Sequence, residues 1–194
     1  MRQSLAIAAA FLSIGAAAPA AAADFKLDPD HTMAVFVVNH LGYSNMIGRF
    51  NDVSGTFSFD PATPEQAKIS MAIDTASVDT NHKRRDDHLR GPDFFNAQEF
   101  PEMTFESTKV DVTGERTGKV TGDLTLLGVT KPVTLDVTFN KMEPHPLPPY
   151  NKVLTAGFSV RGTIKRSDFG MTYFLPAVGD EIQLMLEVEG AETK

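Results

Sequence analysis

Cysteine and tryptophan are both missing from the chain. Without a thiol there is no disulfide framework, no thiolate nucleophile, and no residue on which a lipoprotein signal would place an acyl chain. Tyrosine is scarce, at three residues, so the aromatic content is almost all phenylalanine, fourteen residues of it, accompanied by eight methionines. G-x-S-x-G, H-E-x-x-H, the P-loop and the dinucleotide fingerprint are absent, which removes the chemistries those motifs announce. After the N-terminal segment no apolar run approaches the roughly 18 to 20 residues of a membrane-spanning helix. Positive charge is also in deficit. The formal net charge of −7 favours solubility and argues against a nucleic-acid backbone as partner.

The N-terminus is built differently from the rest. Arg2, an apolar run from Leu5 to Ala18, and Ala21, Ala22 and Ala23 before Asp24 read as a secretory signal over residues 1–23 with an A-x-A cleavage site. Removal leaves 171 residues (194 minus 23), enough for one domain with a substantial core over 24–194. Loss of Arg2 shifts the formal charge from −7 to −8. In a bacterium with two membranes the compartment is the periplasm.

From Ala34 onward apolar residues recur with a period of two, the mark of strands with one buried face. The runs are Ala34 to His40, Phe57 with Phe59, Ile69 to Ile73, Phe105 with Ser107, Val120 to Leu126, Val133 to Phe139, Phe158 to Ile164, and Ile182 to Val188. Turn chemistry separates these eight segments at Asp60-Pro61, at Thr113-Gly114-Glu115, at Gly128 with Pro132, and at Gly179-Asp180. Many antiparallel strands with almost no helix predict an all-β sandwich or barrel, and closure into an eight-stranded barrel removes the exposed edges. Such a barrel is wide enough either to fill with its own side chains or to hold one small ligand. Strands of about ten residues would give a barrel of roughly 25 Å. The segment Glu143 to Tyr150, with four prolines, reads as a stiff surface connection rather than a docking peptide.

One dense charge cluster interrupts the alternation, from Ser77 to Arg90. Gly91 and Pro92 close it and Thr80 or Asn81 is placed to cap its start, so a short helix is expected near residues 82–90. Lys83, Arg84 and Arg85 fall in the first turn, where the helix dipole disfavours cations. Pairs of Lys83 with Asp87 and Asp86 with Arg90, at i, i+4 spacing, offset that internally; an external polar or anionic head group is the other reading. The five histidines are scattered. His82 and His88, six apart, point about 240° away from each other on a helix and do not share a metal easily. His31, His40 and His88 are the candidates for a metal or haem reading, and Asp86 with His88 for an acid–base pair acting on a lipid.

Taken in order, these residues resemble the YceI family of exported lipocalin-like proteins. The likeness rests on His40-Leu41-Gly42-Tyr43-Ser44, on Gly55 to Asp60, on Ser77 to Arg90 followed by Asp93-Phe94-Phe95-Asn96, and on Phe100-Pro101 with Thr104 to Thr108. It continues through Gly122 to Leu135 and Arg166 to Gly170. The resemblance implies an extended eight-stranded antiparallel barrel with an apolar tunnel for an isoprenoid such as a quinone tail or a polyprenyl phosphate. It implies no catalytic residues, no cofactor beyond the bound lipid, and for some relatives a membrane partner of the cytochrome b561 type. With the alternation it assigns the tail to Phe36, Val38, Phe57, Phe59, Ile69, Met71, Ile73, Phe105, Leu124, Leu126, Leu135, Phe158, Ile164, Phe169, Leu184 and Leu186. His40, Asn81, Arg85 and His88 are the candidates for a polar mouth. In a 25 Å barrel an octaprenyl tail must fold or protrude.

Overall fold

A computed structural model of the chain describes residues 22–193, so the expected signal segment lies outside the described residues up to position 21. The elements are β1 (Ala23–Leu27), β2 (Met33–His40), β3 (Ser44–Phe50), β4 (Val53–Phe59), β5 (Lys68–Asp74), β6 (Val78–Asp79), α1 (Lys83–Leu89), β7 (Glu102–Gly114), β8 (Thr117–Leu126), β9 (Val129–Pro144), β10 (Leu154–Lys165) and β11 (Val178–Glu192). Every pairing is antiparallel. Along β11, the end at Gly190–Glu192 pairs with β1 and the stretch before it with β2. These two are therefore halves of one interrupted strand. By the same logic β3 and β4 form one strand, with partners β2 and β1, and β5 and β6 form another, with partners β4 and β3. The eleven elements thus make eight strands closed on themselves, because β1 pairs with both β4 and β11. Each of the eight alternating sequence segments lies on a different one of them.

The barrel is longer than ten-residue strands would make it. Runs of 16 residues in β9 and 15 in β11 rise about 50 Å along the strand, or about 40 Å along the axis at a 40° tilt. The upper end carries the connection at residues 60–67, the β7–β8 hairpin and the proline segment. The lower end carries the β2–β3 turn, α1 and the 166–177 segment.

The two ends are packed differently. Below, Phe50 meets Phe95 edge-on at 5.3 Å and Phe36 at 5.6 Å, and Val78, Phe94, Phe169 and Met171 complete a buried plug beneath them. The same region is tied together by Arg166, only 2% exposed, which donates to the carbonyls of Gly179, Met171, Tyr173 and Val178 at 2.9 to 3.0 Å. Burial holds its pKa below the usual guanidinium range, although four of its five N–H donors find carbonyl partners. Above, Phe59 of β4 reaches Phe139 of β9 across the barrel at 5.1 Å, and Phe158 of β10 at 5.0 Å. These rings form an internal partition. Phe25 of β1 stacks on Phe57 at 4.8 Å and is fully buried.

Candidate functional site

Around and below these rings the interior is open, with wall residues from β1 and β2 through β4, β5 and β7 to β11. The cavity measures about 580 Å³, inside the ~300 to 1,000 Å³ range of small-molecule sites. Its openness follows from glycine placement on neighbouring strands. A Cβ at Gly122 would sit 2.4 Å from the Phe105 ring, one at Gly48 2.2 Å from the Phe36 ring, and one at Gly162 2.4 Å from Leu135. Large inward side chains therefore lie flat against the wall, over a residue with no side chain, instead of meeting in the middle. Replacement of those glycines would push the rings inward.

Fourteen of the sixteen residues assigned to the tail line this cavity. The other two lie elsewhere. Val38 pairs with Met46 and Ile182 below the floor that Phe36 and Phe50 make, and Phe169, on the turn after β10, is 2% exposed within the lower plug. Of the residues expected at a polar mouth, none of His40, Asn81, Arg85 and His88 lines the cavity. All four belong to the lower, plugged end. Arg85 donates to Thr80 Oγ1 at 2.7 Å and to the Thr80 carbonyl at 2.8 Å. His88 pairs with Asp93 at 2.9 Å and has the rings of Phe94 and Tyr173 edge-on at 5.0 and 5.5 Å. His40 is exposed at the end of β2, and Asn81 is exposed with φ of 61° just before the helix.

The helix itself spans Lys83–Leu89, and its cap is His82 rather than Thr80 or Asn81: His82 Nδ1 accepts from the Arg85 amide at 3.3 Å. Thr80 is otherwise engaged. Its amide donates to the buried Asp86 carboxylate at 2.9 Å, and its hydroxyl donates to the same oxygen. Lys83 pairs with Asp87 at 2.8 Å as its spacing predicts, and that hydrogen bond holds the exposed Asp87 carboxyl below its ordinary value. The expected Asp86–Arg90 pair does not form. Arg90 turns to Asp87 at 3.1 Å and to the carbonyls of Ala76 and Val78. With Asp86 held by Thr80 and His88 by Asp93, the two do not form an acid–base pair.

The ionisable groups on the cavity sit at its upper lip: Glu115 and Arg116 at the β7–β8 turn, and Lys141 and Glu143 near the end of β9. Arg116 Nε donates to the Phe139 carbonyl at 2.9 Å, and its guanidinium lies 5.4 Å from the centre of the Phe139 ring. Lys141 and Glu143 pair at 2.9 Å. Below the lip the wall carries no formal charge. Alternation could not single out these residues, because they occupy a turn and a strand end where a period of two no longer tells inside from outside. The proline segment turns back through Pro148–Tyr150, with Tyr150 against His145 at 3.9 Å and His31 at 6.5 Å, as a connection folded on its own side chains.

Among the described residues one group has metal-ligand proximity: Asp28, His31 and Glu189 bring donor atoms within 4.8 Å of one another. His31 Nδ1 is already held by Asp28 at 2.8 Å. His40 and His88 do not join it. Among the described residues no helix is long and apolar enough to cross a membrane.

The family model described as a YceI-like domain matches residues 25–190. A UPF0312 protein of Yersinia pestis (strain Pestoides F) is 45% identical over 189 residues, covering 94% of this chain and 96% of the relative. Among solved structures, Burkholderia cenocepacia BcnA is 29% identical with a TM-score of 0.76, covering 84% of this chain and 98% of that one. A Campylobacter jejuni YCEI protein is 38% identical with a TM-score of 0.70, covering 80% and 90%. A polyisoprenoid binding domain from Saccharophagus degradans, implicated in plant cell wall breakdown, shares the fold at 17% identity and a TM-score of 0.62, covering 87% and 98%.

Proposed function

The chain belongs to the YceI-like family, and from that premise we propose that it binds an amphiphilic isoprenoid, of the quinone or polyprenyl phosphate class, in the cell envelope. One observation carries the reading: a cavity of about 580 Å³ with an uncharged wall and every ionisable group at one lip. Such a space rewards hydrocarbon and offers polar contacts to one end of a guest only. Each buried methylene contributes about 0.8 kcal/mol, so a fifteen-carbon tail gains about 12 kcal/mol against an association cost of about 4 to 15 kcal/mol. Net affinity therefore grows with tail length.

The first 23 residues, read as an export signal, support a periplasmic location, where a carrier of membrane lipid has work to do between bilayers. A membrane redox protein of the cytochrome b561 type is the proposed exchange partner. The role needs no catalytic step. Native mass spectrometry of protein purified without detergent, before and after refolding with a C40 polyprenol, tests the proposal. The expected result is a 1:1 adduct whose extracted mass fits an isoprenoid. A protein that stays empty in both preparations overturns it.

A further inference from the structure

We infer that the guest's head group is uncharged and carries a hydrogen-bond-accepting oxygen, and that Arg116 at the upper lip reads it. The inference rests on the cavity being a lipid site and concerns which lipid it selects. The lip holds two cations, Arg116 and Lys141, and two anions, Glu115 and Glu143, so its formal charge cancels. Lys141 and Glu143 also neutralise each other directly at 2.9 Å. A phosphate head of about −1.5 to −2 charge meets attraction and repulsion in equal number there, on a chain whose net charge is already −7. Field strength favours no anion at this end of the barrel.

An uncharged oxygen faces a different balance. Guanidinium carries five N–H donors and no acceptor, and it stays protonated. Arg116 spends its Nε donor on the Phe139 carbonyl, and among the described residues its terminal nitrogens make no hydrogen bond. That bond and the Phe139 ring at 5.4 Å fix the guanidinium beside the lip with donors to spare. A carbonyl, hydroxyl or ether oxygen on a prenyl tail supplies the matching acceptor without a charge to desolvate. The tail then enters first, downward along the uncharged wall, and stops above the Phe36 and Phe50 floor. The lower cluster of Arg85 and His88 is left outside the recognition.

The test is displacement of N-phenyl-1-naphthylamine from the full mature chain by geranylgeraniol and by geranylgeranyl phosphate, at 50 and 500 mM salt and from pH 5.5 to 8.5. The alcohol is expected to displace the probe at least as well as the phosphate, with less than threefold change across salt and pH. Arg116→Met is expected to keep the probe but weaken the alcohol by about tenfold, the size of one charge-assisted hydrogen bond at a part-exposed site. Phosphate binding more than tenfold tighter than alcohol and weakening steeply with salt overturns the uncharged head. An Arg116→Met variant that binds the alcohol as well as the parent overturns the role of Arg116. If the probe itself does not bind, or neither prenyl compound displaces it, the lipid reading fails instead, which keeps the two failures apart.

Discussion

The hollow side of the barrel and the plug beneath it are made of the same residues used in opposite ways. Phe36, Phe105 and Leu135 lie flat on strand glycines and leave the space in front of them empty, whereas Phe50, Phe94, Phe95 and Phe169 interlock and leave none. Polar groups divide likewise. In the plug, Arg166, Thr80 and Asp86 are buried and hydrogen-bonded so as to lock segments together, while the cavity keeps its charges at the rim. Closed packing at one end converts a tube into a pocket with a floor.

The same kind of truncation is expected to have its largest and most unequal effects in these two regions. Phe95→Ala in the plug is expected to cost about 3 to 5 kcal/mol, since tight packing prevents collapse around the void. Met71→Ala on the cavity wall is expected to cost under about 2 kcal/mol, because that side chain already faces open space on one side. Urea unfolding of both variants measures the difference, and equal losses would mean that the two regions are packed alike. Next in size, Asp86→Ala removes the acceptor of a buried amide and a hydroxyl, for an expected loss of about 1 to 3 kcal/mol. Probe binding should survive it, as this carboxylate lies at the far end from the lip. Leu124→Phe reverses the experiment by filling the void. Its stability should stay within about 1 kcal/mol of the parent, since overpacking is costly only where space is lacking, while N-phenyl-1-naphthylamine uptake is lost.

The smallest effect belongs outside both regions. The Asp28 carboxylate raises the pKa of exposed His31 above its ordinary 6.5, first through their hydrogen bond and then through charge. Partial burial works to raise Asp28, but the hydrogen bonds from His31 and the Asp30 amide outweigh it and hold Asp28 below 3.8. His31 thus contributes fully below pH 6.5 and its share fades as pH rises through the elevated value. The share of Asp28 is present above pH 3.8 and is lost on acidification through the depressed one. Thermal melts of His31→Gln against the parent should differ slightly between pH 4 and 6.5 and converge by pH 8; a gap that widens at alkaline pH would contradict the pairing.

Much of the wall was legible in the sequence because a strand has a two-residue period and each inward position can be read without its partners. Fourteen of the assigned tail residues were found that way. Val38 was misplaced because alternation gives the face but not the depth at which a floor crosses the tube. Phe169 sits on a turn, where the period has no meaning. The segments Ser44–Phe50 and Ala23–Leu27 were not read as strands: the first carries Gly48 and Arg49, and the second adjoins the apolar N-terminal run. The mouth was assigned to the end away from the cavity lip for a topological reason. A charged helix between strands advertises polar chemistry, yet nothing local says whether it guards an opening or seals one. Long-range packing decides that, through Phe94 and Phe95, which follow the helix and drive into the barrel. The glycine-and-ring pairing was visible only as glycines at inward positions such as Gly122 and Gly162, and pairing register was needed to set them against Phe105 and Leu135.

Xenon-pressurised crystals of the protein measure directly whether the barrel is empty above its floor while its lower end is full, since apolar voids take up xenon and packed cores do not. Xenon density bounded by Met71, Phe105, Leu124 and Leu135, with none among Phe50, Phe94, Phe95 and Phe169, is the predicted result. A wall whose side chains have closed over the space, with no xenon above the floor, would contradict it.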